Sequence, residues 1–210
     1  MSDDELLPPG REAAPAPRSG AKPVRKVSKT SLMNAALYHL GRFATSRAGL
    51  RQVLERKAWR SLQAHGGDAD EVAGWIEAVL DSLQKQGWLN DGAFAEARAR
   101  SLNARGTATR TIRQKLAQKG VAEDDIVAAL DRLGEEQGFD DARQSDRMAA
   151  VAYARRRRLG PWRGDGEGRV ERRERDLAAL ARQGFDLDIA RQVIDAETPE
   201  QAEDWADGVG

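Results

Sequence analysis

The chain has 210 residues, with 34 Lys plus Arg against 34 Asp plus Glu, a formal net charge of zero and no cysteine. The missing cysteines exclude a disulfide framework and any thiolate metal site. No apolar run approaches the roughly 18–20 residues needed to cross a bilayer, and the acidic, then Pro/Ala-rich start lacks the apolar core of a secretory signal. A cytoplasmic protein with no membrane partner is expected, and a monomer.

Residues 1–29 hold most of the prolines and few large apolar groups. Such a segment cannot offset its ordering entropy by burial, so it reads as a disordered arm. From Leu32 the helical period takes over. Leu32, Ala36, Leu40 and Phe43 form one stripe, and Leu50, Val53, Leu54, Ala58 and Leu62 a second. Val72, Trp75, Ile76, Val79, Leu80 and Leu83 form a third, opened by Asp68 with Glu71 and stopped at Gly87.

Three short helices follow between Leu89 and Leu130. Asn90 and Asp91 stand where an N-cap belongs, and Arg105-Gly106 ends that helix. Thr107 or Thr109 is placed to cap the next helix, which Gly120 ends. Glu123, Asp124 and Asp125 then supply negative charge at a third helix start. Further helices are expected over 142–159, 170–183 and 187–196, with Gly160-Pro161 and Gly184 as stops and RGDGEG (163–168) as a flexible loop. No strand pattern is found, so the fold class is all-α.

About nine helices in groups of three suggest an internal repeat. The string Leu-x-x-x-Gly-apolar recurs as Leu83-Gly87-Trp88, Leu116-Gly120-Val121 and Leu180-Gly184-Phe185. The first copy closes the third helix of its group and the others the second. The recurrence therefore establishes a shared helix ending without establishing a shared register.

These segments carry a family resemblance. Leu89-Asn-Asp-Gly-Ala-Phe-Ala, Arg105-Gly106, Ile112-Arg-Gln-Lys-Leu116, Lys119-Gly120-Val121 and Ile126–Leu130 resemble the central signature of the RecX family. Ala36–Leu40 with Thr45-Ser46-Arg47 and Leu50 resembles its first repeat. Tyr153–Pro161 with Leu177–Leu180 and Arg182–Phe185 resembles its third. The match runs over roughly residues 32–196. It departs where many members have Gly-Pro before the second helix of the central repeat; here the residues are Thr107-Ala108-Thr109. A hydroxyl cap is expected to replace proline's preset φ. Extra residues enlarge the first repeat around Trp59–Gly67.

The resemblance implies tandem three-helix repeats in an elongated, curved body. Repeats are expected at 30–88, 89–135 and 136–197, followed by an acidic tail over 198–210. It also implies a non-enzymatic regulator that lies in the groove of the RecA–DNA filament and restrains ATP hydrolysis and strand exchange. RecA is then the expected partner, with single- or double-stranded DNA as a possible second one.

Charge is segregated along the chain. Seven bases and two acids lie between Gly87 and Gly120, whereas six acids and no base lie from Asp195 onward. Arg98, Arg105, Arg110, Arg113, Lys115 and Lys119 are the central contact candidates. By charge pattern alone an ordinary solvated helix face is the better reading; the resemblance reverses that order. Arg155, Arg156, Arg157 and Arg158 advance about 100° each on a helix, so they cannot all face one ligand. With Arg172, Arg173 and the nearby Arg163, Arg169 and Arg175 they form a second basic region. Trp59, Trp75 and Trp88 are expected to fill gaps between helices.

No cofactor or metal is expected. His39 and His65 lie on different predicted helices without a carboxylate set. Residues 164–168 lack the Lys-Ser/Thr of a phosphate loop, and no nucleophile-and-base motif is present. The alternatives are a helical DNA-binding module or transcription factor acting without RecA, and an adaptor for an unrelated protein.

Overall fold

The Ser28 hydroxyl accepts a hydrogen bond from the Ser31 N–H (3.2 Å), and the Ser31 hydroxyl accepts from the Ser28 N–H (3.0 Å). This reciprocal cap starts the first helix. A computed structural model describes residues 24–138, 142–164 and 166–208, and the described residues form helices with no strand. The arm expected over 1–29 lies outside the described residues up to residue 23. Its last part is not an arm: Val27 is buried, its N–H donates to Ser61 Oγ at 2.7 Å, and Lys29 already begins a helix.

Helices α1 (Lys29–Leu40), α2 (Arg47–His65) and α3 (Ala69–Lys85) enclose the first apolar cluster. Leu32, Leu50, Leu54, Leu80 and Leu83 are fully buried there, each worth about 1.5–3 kcal/mol of transfer free energy. Asp68 caps α3 through the N–H groups of Asp70 and Glu71, as its spacing predicts. α2 is 19 residues long and carries Trp59. Arg47 and Arg51 bind Glu77 and Arg47 also binds Asp81, bracing α2 against α3. The hydrogen bond from Arg51 holds the Glu77 carboxyl below its ordinary value.

Two expectations fail in this repeat. Phe43 lies beyond the end of α1 and is 57% exposed. Trp59 and Trp88 are 63% and 62% exposed, so of the three tryptophans only Trp75 packs on the core. The buried stripe of α2 passes through Leu54 and Ala58, leaving Trp59 on the solvent side. After Gly87 the core position is taken by Leu89, which turns Trp88 outward.

Helices α4 (Asp91–Asn103), α5 (Thr109–Ala117) and α6 (Glu123–Gln137) enclose the second cluster, with Ile112, Leu116 and Ile126 fully buried. Asn90 caps α4 by accepting from the Ala93 N–H at 2.9 Å. The third cluster is built by α7 (Ala142–Arg157), a 3-10 turn (Gly160–Trp162), α8 (Gly166–Gln183) and α9 (Leu187–Asp195). A further helix, α10 (Pro199–Asp207), also belongs to it.

Two corrections fall in this last part. The segment expected as an acidic tail over 198–210 is helical over Pro199–Asp207. Thr198 caps it, and Ala202 and Ala206 are buried with the third cluster. Arg147 of α7 lies over the Trp205 ring at 5.0 Å, which docks the helix. The segment expected as a loop over 163–168 already turns helical at Gly166, four residues before the expected start at Val170. Arg169 secures that first part of α8 by donating to the carbonyls of Ile194, Ala196 and Glu197 at the end of α9.

The helix endings found in the sequence share one geometry. After Gly87, Gly120 and Gly184, all at positive φ, the next N–H reaches back to the carbonyl of Leu83 (3.0 Å), Leu116 (3.3 Å) and Leu180 (3.3 Å). This is the Schellman closure.

The joints between repeats also match. The Arg47 N–H at the start of α2 donates to Asp91 of α4 at 2.7 Å, and the Thr109 N–H at the start of α5 donates to Asp146 of α7 at 2.7 Å. The Ser46 hydroxyl reaches the Lys119 carbonyl at the end of α5, while the Ala108 N–H reaches the Gln183 carbonyl at the end of α8 (3.2 Å). The first N–H of α2 and of α5 is thus bound by a carboxylate of the next unit, while α2 also has its own cap from the Ser46 hydroxyl to the Gly49 N–H. The hydroxyl cap expected from Thr107 or Thr109 does not form. Ala108 holds that position, and the carboxylate of Asp146 supplies the acceptor.

Candidate functional site

The end of α7 and one face of α8 form an open concavity of about 380 Å³. From the end of α7 come Arg156 and Arg157, with Arg158 just beyond it; from α8 come Arg172, Arg175 and Arg182, which share a face at helical spacing. Leu159 and Ala179 provide its apolar lining, and no aromatic side chain lines it. Its one lining carboxylate, Asp176, is already engaged. Arg163 binds it through Nε (2.9 Å) and Nη2 (2.6 Å), and the Gly160 N–H donates to it at 3.0 Å. That ion pair is buried, with the Asp176 side chain only 2% exposed, and it locks the 3-10 turn onto α8.

Arg156 donates to the main-chain carbonyl of Arg105 and lies 5.6 Å from the centre of the Tyr153 ring. The first acceptor is neutral, so the charge is positioned rather than cancelled. Arg157, Arg158, Arg172, Arg175 and Arg182 are exposed and carry no ion pair to a described residue. Such a concentration of one sign in a concave surface raises the local potential and favours anions.

The remaining candidates separate into two sets. Arg98, Arg105, Arg110, Lys115 and Lys119 are exposed, and their side chains form no ion pair among the described residues. Arg113 instead pairs with Glu123 at the start of α6. Arg155 reaches Glu203 of α10 at 3.5 Å and does not line the concavity. Arg173 grips Asp195 of α9 through two bonds (2.7 and 2.6 Å) and also meets Glu174. The hydrogen bond from Arg173 depresses the Asp195 carboxyl. Arg173 and Arg169 therefore bind α9 internally, while Arg172 faces the concavity. Arg182 was not among the sequence candidates, although its spacing from Arg172 and Arg175 was available in the sequence.

The two cationic areas meet at one joint. The start of α5, carrying Arg110, lies against Gln183 at the end of α8 and against Asp146 of α7. Burial raises the Asp146 carboxyl above its ordinary value, against the opposing bond from Thr109; Asp186 also raises it and Arg110 lowers it. Among the described residues no group of three or more His, Asp or Glu is placed to hold a metal ion. No helix there is long and apolar enough to cross a membrane.

Fold and surface together define a tandem helical-repeat protein with a cationic, concave face. A family model described as RecX, second three-helix domain, matches residues 90–130, which hold α4–α6. A regulatory protein RecX from Myxococcus xanthus is 44% identical over 177 residues, 84% of this chain and 91% of the relative. One from Agrobacterium fabrum is 34% identical over 175 residues, covering 81% and 85%. A crystal structure of a regulatory protein RecX superposes with a TM-score of 0.53 at 22% identity, covering 80% of this chain and 71% of that one; it supports the fold. The chain belongs to the RecX family of regulatory proteins.

Proposed function

We propose that the chain binds the RecA–DNA filament without catalysing a reaction and restrains its ATP hydrolysis and strand exchange. Family membership supports the reading. The structural observation that carries it is the run of cations on α5 and around the α7–α8 concavity that lack carboxylate partners among the described residues. Rigid helices hold these charges, so binding a polyanionic nucleoprotein costs little side-chain or backbone ordering beyond the arginines themselves. Occupying the filament surface then couples binding to slower turnover by steric means.

The test is ATP hydrolysis by purified recombinase on single-stranded DNA with increasing amounts of the chain. Hydrolysis falls with added chain. Replacing Arg110, Lys115 and Lys119 by Ala raises the concentration needed for the same inhibition by about tenfold, an affinity loss of about 1.4 kcal/mol. The far-UV spectrum stays unchanged. Hydrolysis unaffected by an equimolar amount of the chain would defeat the proposal. A salt titration separates it from a DNA-binding module acting alone: direct DNA binding weakens with a log–log slope of about −0.9 per phosphate contact, whereas filament binding through protein contacts depends less steeply on salt and requires recombinase.

A further inference from the structure

Helix α10 follows a unit that already has its three helices, α7, α8 and α9. It is nine residues long, shorter than the roughly 12–15 at which an isolated helix becomes even marginally stable in water. Its helical form therefore depends on what it lies against, which is α7 and the 3-10 turn. It commits little apolar surface to that contact. The side chains it buries completely are those of Ala202 and Ala206, and Trp205 is only half-buried.

The facing stripe of α7 runs through Arg147, Met148, Val151, Ala152 and Arg155, one side of the helix at spacings of three and four. Its middle is apolar and each end carries a guanidinium. From α10, Trp205 lies under Arg147 (5.0 Å) and Glu203 stands beside Arg155 (3.5 Å). Glu200, Glu203, Asp204 and Asp207 are the charged residues of α10, and all are acids.

The fit is incomplete. A cavity of about 230 Å³ stays open between Met148, Val151 and Ala152 on α7 and Glu203 and Asp207 on α10. The Nε of Arg147 is buried and has no acceptor among the described residues. That is a cost of the docked state, and hydration on undocking removes it. A short helix held by small side chains, over a groove it does not fill, opens locally without unfolding the body.

We propose that this groove of α7 is a docking site for an acidic amphipathic helix of a partner protein, one with an aromatic residue at its centre. In the free chain α10 is the built-in competitor that keeps the site closed. α10 itself displays the chemistry that the groove accepts: a carboxylate for Arg155 and a ring against Arg147. A partner helix gains over it by filling the cavity with a larger apolar side chain and by giving the Arg147 Nε an acceptor. It needs that gain, because α10 is tethered and competes at high effective concentration.

The first measurement is native-state hydrogen exchange on the full chain. The amides of residues 202–207 exchange at least about a hundredfold faster than those buried in α7 and α9. Raising salt from about 0.05 M to about 0.5 M speeds them further, because part of the latch is ionic. The second measurement uses a labelled peptide of residues 197–208 as the probe of the groove. It binds the full chain carrying Trp205→Ala at least about tenfold more tightly than the original chain. It does not bind an Ala152→Cys/Asp207→Cys chain closed by a short bismaleimide, a selective cross-link because the sequence has no other cysteine. Adding Arg147→Ala and Arg155→Ala to the opened chain abolishes peptide binding while the far-UV spectrum holds. Exchange of α10 at the rate of global unfolding would overturn the proposal, whatever the variants do. So would equal peptide binding to the opened and cross-linked chains, or none to the opened one. Concentration-dependent dimers that trade α10 between copies would make the occupant a second copy of this chain and overturn the partner helix.

Discussion

Asp146 and Asp176 show how two similar acids come to do different work. Asp176 accepts three hydrogen bonds in a buried ion pair. Its replacement by Ala would leave the guanidinium of Arg163 without that carboxylate. Asp176→Ala is expected to cost about 3–5 kcal/mol in urea unfolding, the range for breaking a buried pair. Asp146 instead caps α5 from a partly desolvated position, and burial raises its carboxyl. A raised folded-state value means the acid form is favoured on folding. Its contribution is therefore fully present below the unfolded value and is lost as pH rises through the folded one. Asn keeps the capping oxygen and removes the titration. The melting temperature of Asp146→Asn relative to the original chain should climb as pH rises from below the ordinary aspartate range to above it. A constant difference would show that the carboxyl does not titrate abnormally.

The helices themselves were legible from apolar spacing, and their ends from glycines. Asn90 and Asp68 act locally, with partners two or three residues away. The errors arose where an element is completed by a distant one. The start of α5 carries no side-chain cap of its own, so its own residues could not reveal Asp146. The early start of α8 is secured by Arg169 on the end of α9, and α10 is docked by Trp205 and Arg147. Gly120 and Gly184 show the same dependence. Beyond their positive φ, a Cβ on Gly120 would overlap Ala48, and one on Gly184 would overlap Thr111. Each closes a helix and also lets one repeat approach the preceding one. Gly120→Ala and Gly184→Ala should each destabilise by about 2–3 kcal/mol, combining backbone strain with overpacking. Gly87→Ala, with nothing near its Cβ, should cost only the strain, about 1–2 kcal/mol. Equal losses at all three positions in urea titrations would remove the packing role.

Among the described residues, three apolar clusters follow one another along the chain and two matched joints link them. The repeat register, ambiguous from the recurrent helix endings, is defined by those joints. Arg47 with Asp91 corresponds to Thr109 with Asp146, and Ser46 with Lys119 corresponds to Ala108 with Gln183. The sequence alone determined the all-α class, most helix spans, the glycine endings and the presence of two basic regions, because periodicity, capping and charge are properties of neighbouring residues. Only the tertiary structure decided which arginines converge. Helical phase assigns Arg172 and Arg173 different directions but cannot say that α9 neutralises one and that the end of α7 gathers the other into a concavity. That choice depends on which helix lies opposite, and contacts between distant segments leave no short-range periodic signature.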